Sequence, residues 1–192
     1  MTTPQPTRTI LYFGATGGVT LSTLTTSLLS PTPHLNICLV RTPSKLHSML
    51  SAASIPATTL SDPTRLLILE GNAKNPTDVA NALTNWPSTI VYGIGGAPVY
   101  KPPFSITVDD PHVCEGSITA ILSTIKTKLA EDATRRPPFI SVISTTGLDP
   151  QVNDVPLLLK PLYSWLLAVP HEDKKKLEAA VVAAGKEGTV GG

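Results

Sequence analysis

The ten residues Leu11-Tyr12-Phe13-Gly14-Ala15-Thr16-Gly17-Gly18-Val19-Thr20 carry the clearest chemistry in the chain. An apolar, aromatic run meets a glycine turn and passes straight into sequence of helical period. A strand in that place aims the turn, glycines let a ligand approach the backbone, and the helix N-terminus offers unpaired N–H groups to an anion. The expected chemistry is phosphate binding, and the strand–turn–helix order points to a dinucleotide. A second cluster, Arg41-Thr42-Pro43-Ser44-Lys45, begins 24 residues beyond Gly17. An acidic residue about 20 residues on from such a turn binds a ribose 2′-hydroxyl and selects NAD, whereas an arginine nearby accommodates the NADP phosphate. The acid is missing, Arg41 is present, and Lys45 lies one helical turn away. The pair predicts NADP(H) in preference to NAD(H).

The elements that must hold these residues alternate along the chain. Thr9–Phe13 reads as the first strand, and Leu21, Leu24 and Leu28 form the buried stripe of the helix after it. Asn36–Val40 is the second strand, followed by a short helix on Leu46, Met49 and Leu50. Arg65–Glu70 is the third. After it come Asn75 as N-cap, Pro76 at the first helical position, and Val79, Leu83 and Trp86 at helical spacing. Thr89–Ile94 is the fourth strand and closes in Gly93-Ile94-Gly95-Gly96, with a proline-rich loop over Ala97–Val108. Asp109 and Asp110 are expected to cap a long helix with Pro111 in its first turn and Ile118, Ile121, Leu122, Ile125 and Leu129 on one face. Phe139–Ser144 is the fifth strand. An irregular stretch (Thr145–Pro156), a short apolar helix near Leu157–Leu167 and a last helix over His171–Ala184, burying Leu177, Ala180, Val181 and Ala184, complete the order. The strands are continuous apolar runs, as in a parallel sheet covered on both faces. Their alternation with helices predicts an α/β fold, a doubly wound parallel sheet of about five strands with helices on both faces.

Within that frame, Gly14-x-x-Gly17-Gly18 resembles the G-x-x-G-x-x-G turn of the short-chain dehydrogenase/reductase superfamily. The opening Gly14-Ala15-Thr16-Gly17 is similar to that of its atypical members, the NmrA-like and biliverdin-reductase-B-like group. The resemblance implies one NAD(P)-binding Rossmann-like domain over residues 1–192, with 1–8 as a flexible N-terminus. It assigns Gly14 to the tight turn and Gly17 to close approach of the pyrophosphate, with Thr16, Gly18 and Val19 completing the cradle. Thr20 stands where a third glycine is usual, so the helix is expected to sit slightly further from the strand. Asn72 falls where relatives carry an acid or a similar polar residue beside the adenine. Gly93 and Gly95 would leave space beside the central section of the cofactor, and the hydroxyls of Ser144 and Thr145 would face the nicotinamide. Relatives continue past Gly185-Lys186-Glu187-Gly188-Thr189 as a sixth strand and a C-terminal substrate region. This sequence stops at Val190-Gly191-Gly192, which implies a truncated or reduced domain with one sheet edge lacking its partner.

Typical members of the superfamily use a Tyr-x-x-x-Lys pair, whose lysine lowers the tyrosine pKa for proton exchange with substrate. Tyr163 is followed four residues on by Leu167, so the pair is absent and Tyr163 reads as a packing residue. The atypical groups start their last helix with a His or Lys eleven positions before a closing glycine, and counting back from Gly185 reaches Lys174. Lys174 and Glu178 are four residues apart and share a helix face, with His171 one turn earlier. The resemblance makes Lys174, or His171 in its place, the candidate proton or hydrogen-bond donor to a substrate carbonyl. The bland alternative is a solvated lysine-rich helix start. His34, His47 and His112 are scattered without carboxylate or cysteine partners, so no metal site is expected. Cys38 and Cys114 show no metal or redox spacing and are expected to be reduced and buried.

A length of 192 residues suffices for one well-cored domain. A net charge of +1 and a pI near 7.8 give no footprint for nucleic acid or anionic membrane. No apolar run approaches the roughly 20 residues of a spanning helix, and Met1-Thr2-Thr3-Pro4-Gln5-Pro6 has no apolar signal core. A cytoplasmic protein is expected. The 19 prolines imply long irregular connections. The leading functional expectation is an NADPH-dependent oxidoreductase reducing a small organic carbonyl, enone or imine. Two alternatives stay open: a non-catalytic NmrA-like redox sensor that binds NADP and signals to a protein partner, and a non-redox isomerase or cyclase reusing the pocket. A homodimer is also open.

Overall fold

A computed structural model describes residues 8–101, 105–145 and 168–191. Among the described residues seven strands are present: β1 (Thr9–Phe13), β2 (Leu35–Val40), β3 (Leu66–Glu70), β4 (Thr89–Tyr92), β5 (Pro98–Lys101), β6 (Ser105–Val108) and β7 (Phe139–Val142). The helices are α1 (Gly18–Leu29), α2 (Pro43–Ala52), α3 (Ala57–Leu60), α4 (Pro76–Ala82), α5 (Val113–Glu131) and α6 (Ala168–Lys186). Five strands form one sheet in the order β3-β2-β1-β4-β7, and every pairing in it is parallel. This is the doubly wound α/β architecture expected.

The apolar runs explain the layering. Side chains alternate across a strand, so Leu11 and Phe13 of β1 point to one face and Tyr12 to the other. Leu11, Phe13, Ile37, Leu39, Ile90 and Tyr92 pack against α4, α5 and α6. Tyr12, Cys38, Val40 and Val91 pack against Leu24 and Leu28 of α1 and Leu46 and Leu50 of α2. One buried polar residue ties the first half together. Asn36 Oδ1 accepts from Tyr12 Oη (3.1 Å) and Ser27 Oγ (2.6 Å), and its Nδ2 donates to the carbonyls of His34 (3.1 Å) and Arg65 (3.0 Å). All four of its hydrogen-bonding places are filled, which is what a buried amide requires.

The departures from expectation lie in the second half. The proline-rich segment after β4 contains an antiparallel hairpin, β5–β6, paired from Pro98↔Val108 to Lys101↔Ser105. Its base is closed by Asp109, whose N–H donates to the Ala97 carbonyl (2.9 Å) and whose Oδ1 accepts the Ala97 N–H (2.7 Å). Asp109 therefore closes a hairpin and does not cap the helix. Asp110 takes the His112 N–H (3.1 Å), one residue short of α5. The N-terminus of α5 is capped from another helix: Asp173 of α6 accepts the N–H groups of Cys114 and Glu115, both at 2.8 Å. The last helix starts three residues earlier than expected and packs along α5. Beyond it the chain returns to the sheet edge, where Gly191 pairs in parallel with Phe139. Residues 146–167, including Tyr163 and the expected helix near Leu157–Leu167, lie outside the described residues.

Candidate functional site

The winding direction reverses between β1 and β4, so the crevice beyond their carboxyl ends is where an open α/β sheet binds its ligand. A cleft of about 380 Å³ lies there. Of the sequence-predicted positions, Gly14, Thr16, Gly17, Arg41, Lys45, Asn72, Gly93 and Gly95 line it. Gly18, Val19, Ser144 and Thr145 do not line it. Val19 stands 62% exposed in the first helical turn. Ser144 and Thr145 are exposed at the end of β7, and the Ser144 hydroxyl is bonded to the Glu178 carboxylate.

The cradle is built as phosphate binding requires. Gly14 has φ +79°, and a Cβ there would lie 2.6 Å from the Gly93 carbonyl oxygen, so only glycine fits. The Gly17 N–H closes the turn onto the Gly14 carbonyl at 2.9 Å. Gly17 is the N-cap of α1, no side chain caps this helix, and its first turn carries no acid. The first N–H groups of α1 are thus left for a ligand anion. Thr20 answers the question raised by the missing third glycine. Its side chain is buried between α1 and β4, and a Cβ on Gly93 would sit 1.9 Å from its hydroxyl oxygen. Room that a glycine usually leaves on the helix is left on the facing strand instead.

At the end of β2, Arg41 and Lys45 flank the start of α2, a helix with Pro43 in its first turn, no side-chain cap and no acid in that turn. Among the described residues neither cation is held in an ion pair. At the end of β3, Asn72 is occupied locally: its N–H donates to Asp78 (2.8 Å), and its Oδ1 accepts the Lys74 N–H (3.0 Å). Two charged lining residues escaped sequence reading. Lys74 and Asp110 face each other across the cleft's edge as an ion pair of 2.8 Å. Lys74 follows Asn72 by two residues in the same loop, which was the available signal. Asp110 was masked by its resemblance to a helix cap.

Beneath the cleft lies a connected polar cluster. Tyr92 is fully buried; its hydroxyl hydrogen-bonds Ser117 Oγ (2.7 Å) and donates to the Cys114 carbonyl (3.2 Å). Burial holds the phenol of Tyr92 protonated far above the ordinary tyrosine range. Burial likewise pushes the Cys114 thiol up to about 12. Lys174 donates to the carbonyls of Ile94 (3.0 Å) and Ile143 (2.9 Å), at the ends of β4 and β7, with its ammonium 6.0 Å from the Tyr92 ring centre. It shares its face with Glu178, but the two are used separately. His171 is half-buried, and its Nε2 is enclosed without a hydrogen-bond partner. Burial and the nearby Lys175 charge lower its pKa, so the imidazole is favoured neutral. No group of His, Cys, Asp and Glu among the described residues could hold a metal ion, and none of their helices is long and apolar enough to cross a membrane.

A parallel doubly wound sheet with a glycine cradle at its switch point defines a Rossmann-like fold. No family profile matches the chain. Over 188 residues it is 35% identical to Reductase pytE of Aspergillus terreus, spanning 95% of this chain and 69% of that protein. Over 197 residues it is 32% identical to Oxidase pynE of Aspergillus niger, spanning 88% and 68%. In fold it is similar to the carbonyl reductase Sniffer of D. melanogaster, with a TM-score of 0.57 at 14% identity over 95% of this chain and 77% of that one. The chain belongs to the short-chain dehydrogenase/reductase superfamily, in the group that includes the two Aspergillus proteins.

Proposed function

We propose that the chain is an NADP(H)-dependent oxidoreductase that reduces a carbonyl, enone or imine of a small organic substrate. The oxidoreductase class is supported by the relatives, one of which is called a reductase and the other an oxidase. The observation that carries NADP(H) is the cationic end of β2. Arg41, Lys45 and the uncapped N-terminus of α2 converge on one edge of the cleft, and no acid stands in the first turn of α2 to oppose a phosphate. Gly14, Gly17 and the first turn of α1 would hold the pyrophosphate. Thr16, Gly18 and Val19 would border it, Asn72 would border the adenosine, and Gly93 and Gly95 would leave room for the central section. Ser144 and Thr145 would border the nicotinamide end.

When bound, the nicotinamide supplies the hydride. The protein's part is orientation and one proton. Lys174 gives two of its three N–H bonds to the carbonyls of Ile94 and Ile143, which fixes α6 against the ends of β4 and β7. Its third N–H is the proton we assign to the substrate oxygen, with His171 as the neighbouring candidate. Lys174→Arg preserves the carbonyl contacts and tests the proton separately from the tether, whereas Lys174→Met removes both.

The test is a titration of NADPH and NADH into wild type and Arg41→Ala, followed by NADPH oxidation over a panel of carbonyl compounds. A charge-assisted phosphate contact contributes about 1.5–3 kcal/mol, or roughly 10- to 150-fold in affinity. Arg41→Ala is expected to lose about that factor for NADPH and to bind NADH unchanged. An unaltered cofactor preference would sink the assignment. Binding without turnover on any substrate would favour the redox-sensor reading, which the occupied Lys174 ammonium also suits.

A further inference from the structure

Lys74 and Asp110 are held as a preformed pair in the lining of the cleft, Lys74 in the loop after β3 and Asp110 in the loop before α5. Each is anchored independently. The Lys74 stem lies across Gly116 of α5, where an added Cβ would come within 3.0 Å of Cε and 3.7 Å of Cδ and Cγ. Its backbone N–H is fixed by Asn72 Oδ1. Asp110 gives Oδ1 to the His112 N–H and leaves Oδ2 for Lys74. An ammonium and a carboxylate oxygen thus stand side by side 2.8 Å apart, a donor next to an acceptor, with capacity left on both. Adenine displays the complementary order along one edge, an acceptor N7 beside a donor N6 amino group. Asn72, the residue expected beside the adenine, has its oxygen and its N–H already engaged.

Building on the cofactor reading above, we propose that Lys74 and Asp110 read the adenine base of the bound dinucleotide. The Lys74 ammonium donates to the ring nitrogen, and the Asp110 carboxylate accepts from the exocyclic amino group. The pair therefore distinguishes adenine from hypoxanthine, in which a carbonyl oxygen replaces the amino group and would face the carboxylate acceptor to acceptor.

The experiment compares Kd values for NADPH and for reduced nicotinamide hypoxanthine dinucleotide phosphate by fluorescence titration. The proteins are wild type, Lys74→Met, which keeps the stem on Gly116, and Asp110→Asn, which keeps the size. Wild type is expected to prefer NADPH by about 10-fold, the discrimination typical of a two-point base contact. Both variants should bring the ratio to within about 2-fold while retaining the native circular dichroism spectrum. Equal binding of both dinucleotides by wild type, or variants that keep the full preference, would overturn the inference and leave the cofactor site standing. Wild type binding neither dinucleotide would overturn the cofactor reading itself, and this inference with it.

Discussion

The contact between Thr20 and Gly93 can be tested by filling the space on the strand. A Cβ on residue 93 would lie 1.9 Å from Thr20 Oγ1, 3.3 Å from Thr20 Cβ and 2.8 Å from Ile143 Cδ1. The Ile143 methyl is the far end of a flexible side chain and can turn aside. Thr20 cannot, because a β-branched residue in a helix has few rotamers, so α1 must move off the sheet. Overpacking of this kind costs about 1–3 kcal/mol, and an overlap this deep belongs near 3. Gly93→Ala should therefore lower the melting temperature by roughly 6–12 °C for a chain of this size. Thr20→Ala on its own should be close to neutral. It removes a buried hydroxyl that has no hydrogen-bond partner, and it trades a lost methyl contact of about 1 kcal/mol against about 0.5 kcal/mol of helix propensity. In the double variant the closest Thr20 atom is gone and 3.3 Å remains, so about 2 kcal/mol should be recovered as coupling between the sites. Urea unfolding of the four proteins gives the cycle. Additivity of the two substitutions to within about 0.5 kcal/mol would refute the account of helix–sheet packing.

Two further outcomes follow from the polar groups of α6. Asp173→Ala strands the N–H groups of Cys114 and Glu115 in the interior, and should cost about 2–4 kcal/mol; Asp173→Asn, which keeps one acceptor, should cost about half as much in the same urea assay. For His171 the folded-state pKa lies below the ordinary value of 6.5, so between the two values the unfolded chain binds the extra proton. Stability from this residue is fully present above pH 6.5 and is lost as pH falls towards the folded-state pKa. Unfolding midpoints measured from pH 7.5 to pH 5 should fall more steeply for wild type than for His171→Gln, and superimposable profiles would contradict it.

The sheet was legible because its signal is local and redundant. Each strand is a run of apolar residues with no competing pattern, and β1 spans Thr9–Phe13 as read from sequence. Capping of α4 was legible for the same reason, since Asn75 Oδ1 accepts the Thr77 N–H two residues on. The glycines of the cleft-lining turn were legible because its backbone geometry dictates them. What the sequence hid depends on partners far along the chain. Asp173 is 59 positions from Cys114, whose N–H it takes, and Lys174 is 80 positions from Ile94, whose carbonyl it holds. Nothing in a lysine-rich helix start distinguishes a solvated face from one whose first turn is inserted into the fold. The β5–β6 hairpin was hidden by proline content, which lowers strand propensity but is tolerated in an edge strand, as both strands of this ribbon are among the described residues.

Asp173 and Lys174 also explain how α6 bears on the walls of a cleft whose described lining comes from other elements. Parallel strands and helices end at the cleft with unpaired backbone groups, and the ligand can satisfy only those that face it. The donors at the start of α5 and the acceptors after β4 and β7 face the other way, towards α6. Asp173 supplies the acceptor for the first and Lys174 the donor for the second, from adjacent positions on one helix. Opposite charges at neighbouring residues therefore match the opposite polarity of a helix N-terminus and strand C-termini. The same two contacts fix Ile94 and Cys114, and Cys114 Sγ in turn donates to the Ile94 carbonyl at 3.3 Å. Ile94 lines the cleft directly, and Val113 and Ser117 line it on either side of Cys114. Loosening the start of α6 must then be felt in the cleft wall, which makes cofactor affinity, and not only stability, the quantity to follow in Asp173 and Lys174 variants.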